Sequence, residues 1–161
     1  MKLKVSVIGT GYLGATHAAC MSSLGFEVIG VDVDAAKIEL LTTGRVPFYE
    51  PGLEELLQKE IASGRLTFTT DFKAIADADV HFICVGTPQQ ADSLAADLKY
   101  VDAALDAVAA ICKPGALVVG KSTVPVGTAA RLRERLLKIN PGADLAWNPE
   151  FLREGFAVED T

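Results

Sequence analysis

The sequence predicts an α/β domain built on a doubly wound, mostly parallel β-sheet. Short apolar runs rich in β-branched residues alternate along the chain with longer stretches of helical period. Such runs are typical of parallel strands that are covered by helices on both faces. Because the chain has 161 residues, of which 50% are hydrophobic, it is long enough to bury one complete core. We therefore expect residues 1–161 to form a single domain.

The first strand, the first helix and the second strand are the best-defined elements. A β-branched run predicts a strand over Leu3–Ile8, and this run stops at the first of three closely spaced glycines. The helix-permissive stretch that follows predicts a helix over Tyr12–Leu24. A second apolar run predicts a strand over Glu27–Val31, which ends at Asp32.

The same alternation continues through the rest of the chain. Four further apolar runs predict the strands Leu66–Thr69, Val80–Val85, Ala116–Val119 and Asp144–Ala146. Amphipathic stretches predict the helices Ala35–Thr42, Gly52–Ser63, Tyr100–Cys112 and Thr128–Ile139, and a short helical turn at Asp71–Ala76. Strands joined through helices form right-handed crossovers, so the sheet should be parallel and covered on both faces. Ligands of such sheets bind beyond the carboxyl ends of the strands.

The turn after the first strand has the spacing G-x-G-x-x-G, which is suited to holding a dinucleotide. Gly9 allows the tight strand-to-helix turn, Gly11 lets the backbone approach a pyrophosphate, and Gly14 lets the helix lie close to the strand. The N-terminus of that helix offers free N–H groups to phosphate. Asp32 stands where its carboxylate can accept hydrogen bonds from a ribose. The pattern predicts a Rossmann-type dinucleotide-binding domain rather than a purely structural turn.

Composition and charge exclude several other classes of protein. The net charge of −6 and the lack of a basic patch argue against nucleic-acid binding. No apolar run is long enough to span a bilayer, and the N-terminal apolar stretch is broken by glycines, unlike an export signal. We therefore expect a cytoplasmic protein with no membrane partner. Cys20, Cys84 and Cys112 lie far apart in apolar segments, which predicts buried, reduced thiols and no metal site.

Polar residues also follow the later predicted strands. Gly86-Thr87-Pro88-Gln89 comes after the fourth strand, Ser122-Thr123-Val124-Pro125 after the fifth and Asn148-Pro149-Glu150 after the sixth. Any one of these segments could be an ordinary polar loop. Together with the glycine turn, however, they place candidate functional groups along one edge of the sheet.

Five motifs in a fixed order resemble those of a known family. They are Gly9-Thr10-Gly11-Tyr12-Leu13-Gly14, Tyr49-Glu50-Pro51-Gly52-Leu53, Val85-Gly86-Thr87-Pro88, Lys121-Ser122-Thr123-Val124-Pro125-Val126-Gly127-Thr128 and Asn148-Pro149-Glu150-Phe151-Leu152-Arg153-Glu154-Gly155. Their order and spacing resemble the N-terminal half of the UDP-glucose/GDP-mannose dehydrogenase family, most closely its members that oxidise UDP-glucose. The resemblance extends over essentially the whole chain.

The resemblance implies a reaction, a cofactor and a set of site residues. Members of the family oxidise C6 of a nucleotide sugar from alcohol to acid with two NAD⁺, through a thioester on an enzyme cysteine. By resemblance, the substrate is a nucleotide sugar, with UDP-glucose favoured, and Thr123 and Glu150 orient the hydrolytic water. The residues implied to hold NAD are Gly9, Thr10, Gly11, Tyr12, Leu13, Gly14, Asp32, Lys37, Val85, Thr87, Pro88, Ser122 and Glu154. Those implied to border the substrate are Glu150, Phe151, Leu152, Arg153 and Glu154.

One departure from the family pattern limits what this chain can do. The family's nucleophilic cysteine lies in a later segment, and none of the three cysteines here matches it. We therefore interpret the chain as an NAD-binding domain truncated from a larger, homo-oligomeric enzyme, and expect it to bind cofactor without turnover. Two alternatives stay open. The domain could belong to a GDP-mannose or UDP-N-acetyl sugar dehydrogenase, or it could be a stand-alone, non-catalytic NAD-binding module.

Overall fold

The computed structural model describes residues 3–161, which form a six-stranded sheet with helices on both faces. The strands are β1 (Lys4–Ile8), β2 (Glu27–Val31), β3 (Leu66–Thr69), β4 (Val80–Ile83), β5 (Leu117–Gly120) and β6 (Asp144–Trp147). Every neighbouring pair is parallel, in the order β3-β2-β1-β4-β5-β6. Since the direction of winding reverses between β1 and β4, a crevice opens at the carboxyl ends of these two strands.

The helices connect successive strands as the alternation predicts. They are α1 (Tyr12–Ser23), α2 (Ala35–Thr42), α3 (Leu53–Ala62), α4 (Lys99–Ala109), α5 (Thr128–Ile139) and α6 (Ala157–Asp160), with a 3₁₀ turn at Phe72–Ile75. No helix within residues 3–161 has the length and apolar character needed to cross a membrane.

Two apolar clusters, one on each face of the sheet, make up the core. On one face, β-strand residues such as Ile83 and Val118 pack with Leu105 of α4 and Leu132 of α5. On the other face, the opposite side chains of the strands pack with buried residues of α1, α2 and α3. This two-sided burial confirms the doubly wound fold. The three cysteines are buried, as predicted.

Two strand boundaries and one additional short helix differ from the prediction. The strand predicted to reach Val85 ends at Ile83. The Cys84 amide still donates to the Ile8 carbonyl at 2.8 Å, and the chain leaves the sheet after this bond. The strand predicted as Leu3–Ile8 begins at Lys4. The short helix α6 was not predicted. The amide of its first residue, Ala157, donates to the side chain of Glu50, which lies 107 residues away in the sequence.

Candidate functional site

A groove runs along the carboxyl edge of the sheet, where β1 and β4 diverge. Its larger part has a volume of about 990 Å³ and reaches from the glycine turn to the end of β2, with Val33, Phe72 and Tyr100 among its apolar walls. A smaller part, of about 280 Å³, continues towards the ends of β5 and β6. The two parts share Gly11 and residues 84–87, so they form one continuous groove.

The glycine turn at the middle of the groove needs glycine for two different reasons. Gly9 has a φ of 86°, a left-handed conformation that other residues adopt only with strain. At Gly14, a Cβ would stand 1.8 Å from the carbonyl oxygen of Gly9, so only hydrogen fits between α1 and the turn. The turn and close-packing roles predicted for these two glycines are therefore present in the backbone.

Gly11 differs from the other two glycines because it faces open space. Apart from its own chain neighbours, no atom of residues 3–161 lies within 4 Å of the position that a Cβ would take there, and the residue lines both parts of the groove. Gly11 is also the N-cap of α1, and it offers no side chain to bond the first amides of the helix. These amides, together with the positive end of the helix dipole, remain available to a phosphate group.

Asp32 lines the groove at the end of β2 and is held there by several donors. Its Oδ2 accepts hydrogen bonds from the Thr10 amide at 2.8 Å, the Thr10 hydroxyl at 3.1 Å and Lys37 Nζ at 2.8 Å. Its Oδ1 accepts from the Asp34 amide at 3.1 Å. Burial raises the pKa of the Asp32 carboxyl, but the Lys37 ammonium and the backbone amides outweigh it and hold the pKa below its ordinary value. The result is a fixed, ionised acceptor.

At the opposite end of the groove, Lys121 and Glu150 form an ion pair. Lys121 Nζ donates to Glu150 Oε2 at 2.6 Å, and the Lys121 side chain is only 5% exposed against 23% for Glu150. The Glu150 amide also donates to the Lys121 carbonyl at 3.0 Å. Partial burial pushes the pKa of Glu150 up, yet the Lys121 ammonium and the Phe151 amide hold it below its ordinary value. Glu150 is thus an oriented carboxylate rather than a freely solvated one.

The loops that carry this pair are bonded to one another. Ser122 Oγ donates to the Val85 carbonyl at 2.6 Å, and Thr87 Oγ1 donates to the Thr123 carbonyl at 2.9 Å. Trp147 Nε1 donates to the Ser122 carbonyl at 3.0 Å. The three loops after β4, β5 and β6 therefore form one connected wall. The exposed Thr123 side chain and Glu150 line the same part of the groove.

A second carboxylate, Glu50, joins the glycine turn to the C-terminal segment. The Tyr12 hydroxyl donates to Glu50 Oε2, and the Gly155 and Ala157 amides donate to the same carboxylate, each at 2.8 Å. Tyr12 lines the smaller part of the groove. Residues 155–157 therefore lie against the start of α1.

The thiols are poor candidates for a nucleophile. Cys84 lines both parts of the groove, but burial raises its pKa to about 12. Burial likewise raises the pKa of Cys20 to about 11 and that of Cys112 above its ordinary value. Because the thiolate is the reactive form, burial disfavours nucleophilic attack by each of the three sulfur atoms.

Comparison with known proteins shows the family of the chain. The sequence pattern described as "UDP-glucose/GDP-mannose dehydrogenase family, NAD binding domain" matches residues 3–161. The chain belongs to the UDP-glucose/GDP-mannose dehydrogenase family. The resemblance predicted from the five motifs is thereby confirmed, as is the Rossmann-type fold.

Individual members of the family are similar over nearly the whole chain. The UDP-glucose 6-dehydrogenase of Rhizobium meliloti (strain 1021) is 47% identical over 98% of the chain. The structure of a UDP-glucose dehydrogenase from Pyrobaculum islandicum is 45% identical over 99% of it, with a TM-score of 0.91. The ternary complex of a GDP-mannose dehydrogenase from Pseudomonas aeruginosa is 40% identical over 98%, with a TM-score of 0.92. The chain spans 37% of the first protein and 38% of the other two.

NAD is the cofactor of this domain of the family, and the groove fits it. Gly11 leaves open space beside the free amides of α1, which suits the pyrophosphate. Asp32 lines the larger part of the groove, where its carboxylate suits ribose hydroxyls, and apolar side chains such as Val33 and Tyr100 line the same part, as an aromatic base requires.

The structure separates the predicted site residues into two groups. Those that line the groove are Gly9, Gly11, Tyr12, Leu13, Asp32, Lys37, Val85, Thr87, Pro88, Ser122, Thr123 and Glu150. Those that do not line it are Thr10, Gly14, Phe151, Leu152, Arg153 and Glu154. Thr10 and Gly14 are fully or nearly fully buried, so they act on a ligand only through their neighbours. Arg153 pairs with Asp160 at 2.6 Å and lies over the ring of Phe156.

Sequence reasoning assigned no role to three residues that shape the site. Lys121 and Glu50 lie in two of the five motifs, and Tyr100 is the first residue of a predicted helix. A lysine directly after a buried strand was an available signal for Lys121, since a buried ammonium requires a partner. Glu50 gave no comparable signal, because its partners lie far away in sequence.

Proposed function

We propose that this chain is the NAD-binding and partly catalytic domain of an enzyme that oxidises UDP-glucose to UDP-glucuronate with two NAD⁺. The observation that carries the proposal is the Lys121–Glu150 ion pair, which lies beside Thr123 at the end of the groove away from Asp32. A cofactor held by Asp32 at its adenosine end would place its other end near this pair. An oriented carboxylate there suits the hydrolysis of an acyl intermediate.

The residues of this chain would act in three places. Asp32 and Lys37 would bind the adenosine ribose, and the amides at Gly11 and Leu13 would bind the pyrophosphate. NAD⁺, when bound, is the hydride acceptor. Glu150 would accept a proton from water, with Thr123 orienting that water. A positioned general base contributes roughly a hundred- to ten-thousand-fold to a rate.

The same proposal predicts that the chain alone does not turn over. A covalent step needs a thiolate roughly 3–3.5 Å from the reacting carbon. All three thiols are buried with raised pKa values, and the only one at the groove, among residues 3–161, is Cys84. The nucleophile would come from a later segment of the whole enzyme.

A second substrate class has equal support from the fold. The GDP-mannose dehydrogenase structure matches with a TM-score of 0.92, against 0.91 for the UDP-glucose enzyme of Pyrobaculum islandicum. The fold of this domain therefore does not separate the two sugars. A dehydrogenase acting on GDP-mannose or on a UDP-N-acetyl sugar is the alternative, and a non-catalytic NAD-binding module is the remaining one.

The test combines a binding and a turnover measurement on the same sample. NAD⁺ is titrated into the chain by calorimetry, and NADH absorbance is followed with UDP-glucose, GDP-mannose or UDP-N-acetylmannosamine. We expect saturable NAD⁺ binding without sustained NADH production. The protein expressed from its whole reading frame should then show its highest kcat/KM with UDP-glucose. Highest activity with another sugar would move the proposal to that sugar, and no activity with any of them would favour the binding module.

A further inference from the structure

Glu50 is a buried carboxylate whose three donors come from two distant parts of the chain. It is 5% exposed. One donor is the hydroxyl of Tyr12, at the start of α1. The other two are the backbone amides of Gly155 and Ala157, each 2.8 Å from the carboxylate. These donors are 38, 105 and 107 residues away from Glu50 in the sequence, so the carboxylate joins segments that are distant along the chain.

The donors to Glu50 are all neutral, which is unusual for a buried charge. Among residues 3–161, no ion pair includes this carboxylate. Removing an unpaired carboxylate from water is costly unless hydrogen bonds replace the lost hydration. Here Tyr12 and two amides replace it, so the charge holds three groups in one place.

The protonation states fix the direction of these hydrogen bonds. Burial raises the pKa of Glu50, but the Tyr12 hydroxyl and the amides outweigh burial and hold the pKa below its ordinary value. Burial first, and then the bond to Glu50, raise the pKa of Tyr12 to about 12. At neutral pH, Tyr12 is therefore the donor and Glu50 the acceptor. The ring of Tyr12 is also held by Phe48, with centroids 5.0 Å apart.

These contacts anchor one end of the segment that carries the predicted substrate residues. At residue 150, the segment is anchored by the Lys121 ion pair. At residues 155 and 157, it is anchored by Glu50. Between the anchors, residues 151–154 bridge the two carboxylates, and Phe151 is 76% exposed. Because Tyr12 lines the groove, the second anchor is joined directly to the cofactor site.

We propose that Glu50 is a positioning residue that couples cofactor binding at the glycine turn to the placement of residues 151–157 beside the substrate. A cofactor that fills the groove at Tyr12 restrains its hydroxyl. This restraint passes through the Glu50 carboxylate to the amides of Gly155 and Ala157. The inference rests on the proposed function, since only a substrate bordering residues 151–154 gives the coupling a use.

The test measures hydrogen exchange of individual amides by NMR on the ¹⁵N-labelled chain, with and without saturating NAD⁺. Without cofactor, Glu50→Gln should speed exchange at one or both of Gly155 and Ala157 roughly tenfold or more, because these amides bond different oxygens of Glu50 and glutamine replaces one oxygen with an NH₂ donor. In the unaltered chain, NAD⁺ should slow exchange at both amides. Tyr12→Phe should leave exchange without cofactor within about threefold of the unaltered chain but abolish the response to NAD⁺.

Glu55→Gln is the matched control, because Glu55 is an exposed carboxylate near the start of α3. It should change neither exchange nor its response to NAD⁺. Equal exchange at Gly155 and Ala157 in Glu50→Gln and Glu55→Gln would overturn the anchoring. A full NAD⁺ response in Tyr12→Phe, or none in the unaltered chain despite binding, would overturn the coupling. If the chain takes up no NAD⁺, the cofactor assignment and the coupling both fail, while exchange without cofactor still decides the anchoring. If the whole protein oxidises no nucleotide sugar, the proposed function fails and both exchange results stand.

Discussion

Lys121 Nζ lies 2.6 Å from Glu150 Oε2, and this ion pair joins the loop after β5 to the loop after β6. The lysine is almost fully buried and the glutamate is partly open to the groove. The ammonium is bonded to Oε2, Oε1 accepts from the Phe151 amide at 3.1 Å, and the residue lines the smaller part of the groove. The pair holds Glu150 ionised and oriented at the position where the proposed reaction needs a base.

Replacing Glu150 should stop the proposed hydrolytic step and spare the earlier steps. In the protein expressed from its whole reading frame, Glu150→Gln keeps the shape and removes the basicity, so turnover should fall roughly a hundredfold or more. A covalent sugar adduct should accumulate and be visible by intact-mass spectrometry. Thr123→Ala should act in the same direction but more weakly. Exposed Glu159→Gln is the matched control, and normal turnover without an adduct in Glu150→Gln would return Glu150 to a structural role.

Removing Lys121 should move the pH dependence of the same step. The Lys121 ammonium lowers the pKa of Glu150, so this carboxylate stays ionised to lower pH than an ordinary glutamate. In Lys121→Met, the pKa of Glu150 rises, and the acid limb of the kcat profile should shift to higher pH. Lys138→Met, on the last turn of α5, is the control. An unchanged acid limb in Lys121→Met would mean that Glu150 does not titrate in the measured step.

Asp32 should select NAD⁺ over NADP⁺. Its ionised carboxylate can accept hydrogen bonds from ribose hydroxyls and repels a 2′-phosphate. Asp32→Asn should weaken NAD⁺ binding roughly tenfold and abolish most of the preference over NADP⁺. Calorimetry with both cofactors measures this, with Asp144→Asn at the amino end of β6 as control. Equal binding of the two cofactors by the unaltered chain would contradict the role of Asp32.

Alanine at Gly11 and at Gly14 should produce two different defects. At Gly14, the new methyl group would overlap the Gly9 carbonyl, at 1.8 Å, so the free energy of unfolding should fall by about 3 kcal/mol or more. At Gly11, the methyl group meets open space and the backbone is already in an allowed region, so the fold should be retained. NAD⁺ affinity should nevertheless fall, because the methyl group occupies the approach to the α1 amides. Urea unfolding measures the effect on stability, and calorimetry measures the effect on NAD⁺ affinity. A Gly14→Ala chain that is as stable as the unaltered chain and binds NAD⁺ equally well would contradict this geometry.

His17 should make the fold sensitive to mild acid. The residue is buried against Phe82, and neither ring nitrogen has a hydrogen-bond partner within residues 3–161. Burial, reinforced by Lys121 and opposed by Glu150, lowers its pKa to about 4 from an ordinary value of 6.5. The unfolded chain therefore takes up a proton first, and the contribution of neutral His17 is lost as the pH falls from about 6.5 towards 4.

His17→Leu removes this proton uptake and two unpaired nitrogens. Its free energy of unfolding should fall less steeply than that of the unaltered chain between pH 6.5 and 4. At pH 7, the variant should be equally stable or more stable by about 1 kcal/mol. Denaturant unfolding across this pH range provides the comparison, and parallel curves for the two chains would show that His17 is not the titrating group.

The amino-acid sequence by itself determined the order of strands and helices and the dinucleotide-binding turn. These features depend on neighbouring residues. β-branched runs, helical periods and the G-x-G-x-x-G spacing each act within one or two elements, as the close agreement for β1, α1 and β2 shows. The positions of Gly9, Gly11 and Asp32 at the groove followed, because parallel strands present their carboxyl ends at one edge.

Only the tertiary structure decided how the polar groups of the site are held. The sheet order places β5 beside β6, which brings Lys121 to Glu150 across 29 residues of sequence. The fold also brings the Gly155 amide to Glu50 across 105 residues and thereby positions α6. No local pattern encodes such pairs, because a buried charge is stabilised by whichever donors the completed fold delivers to it.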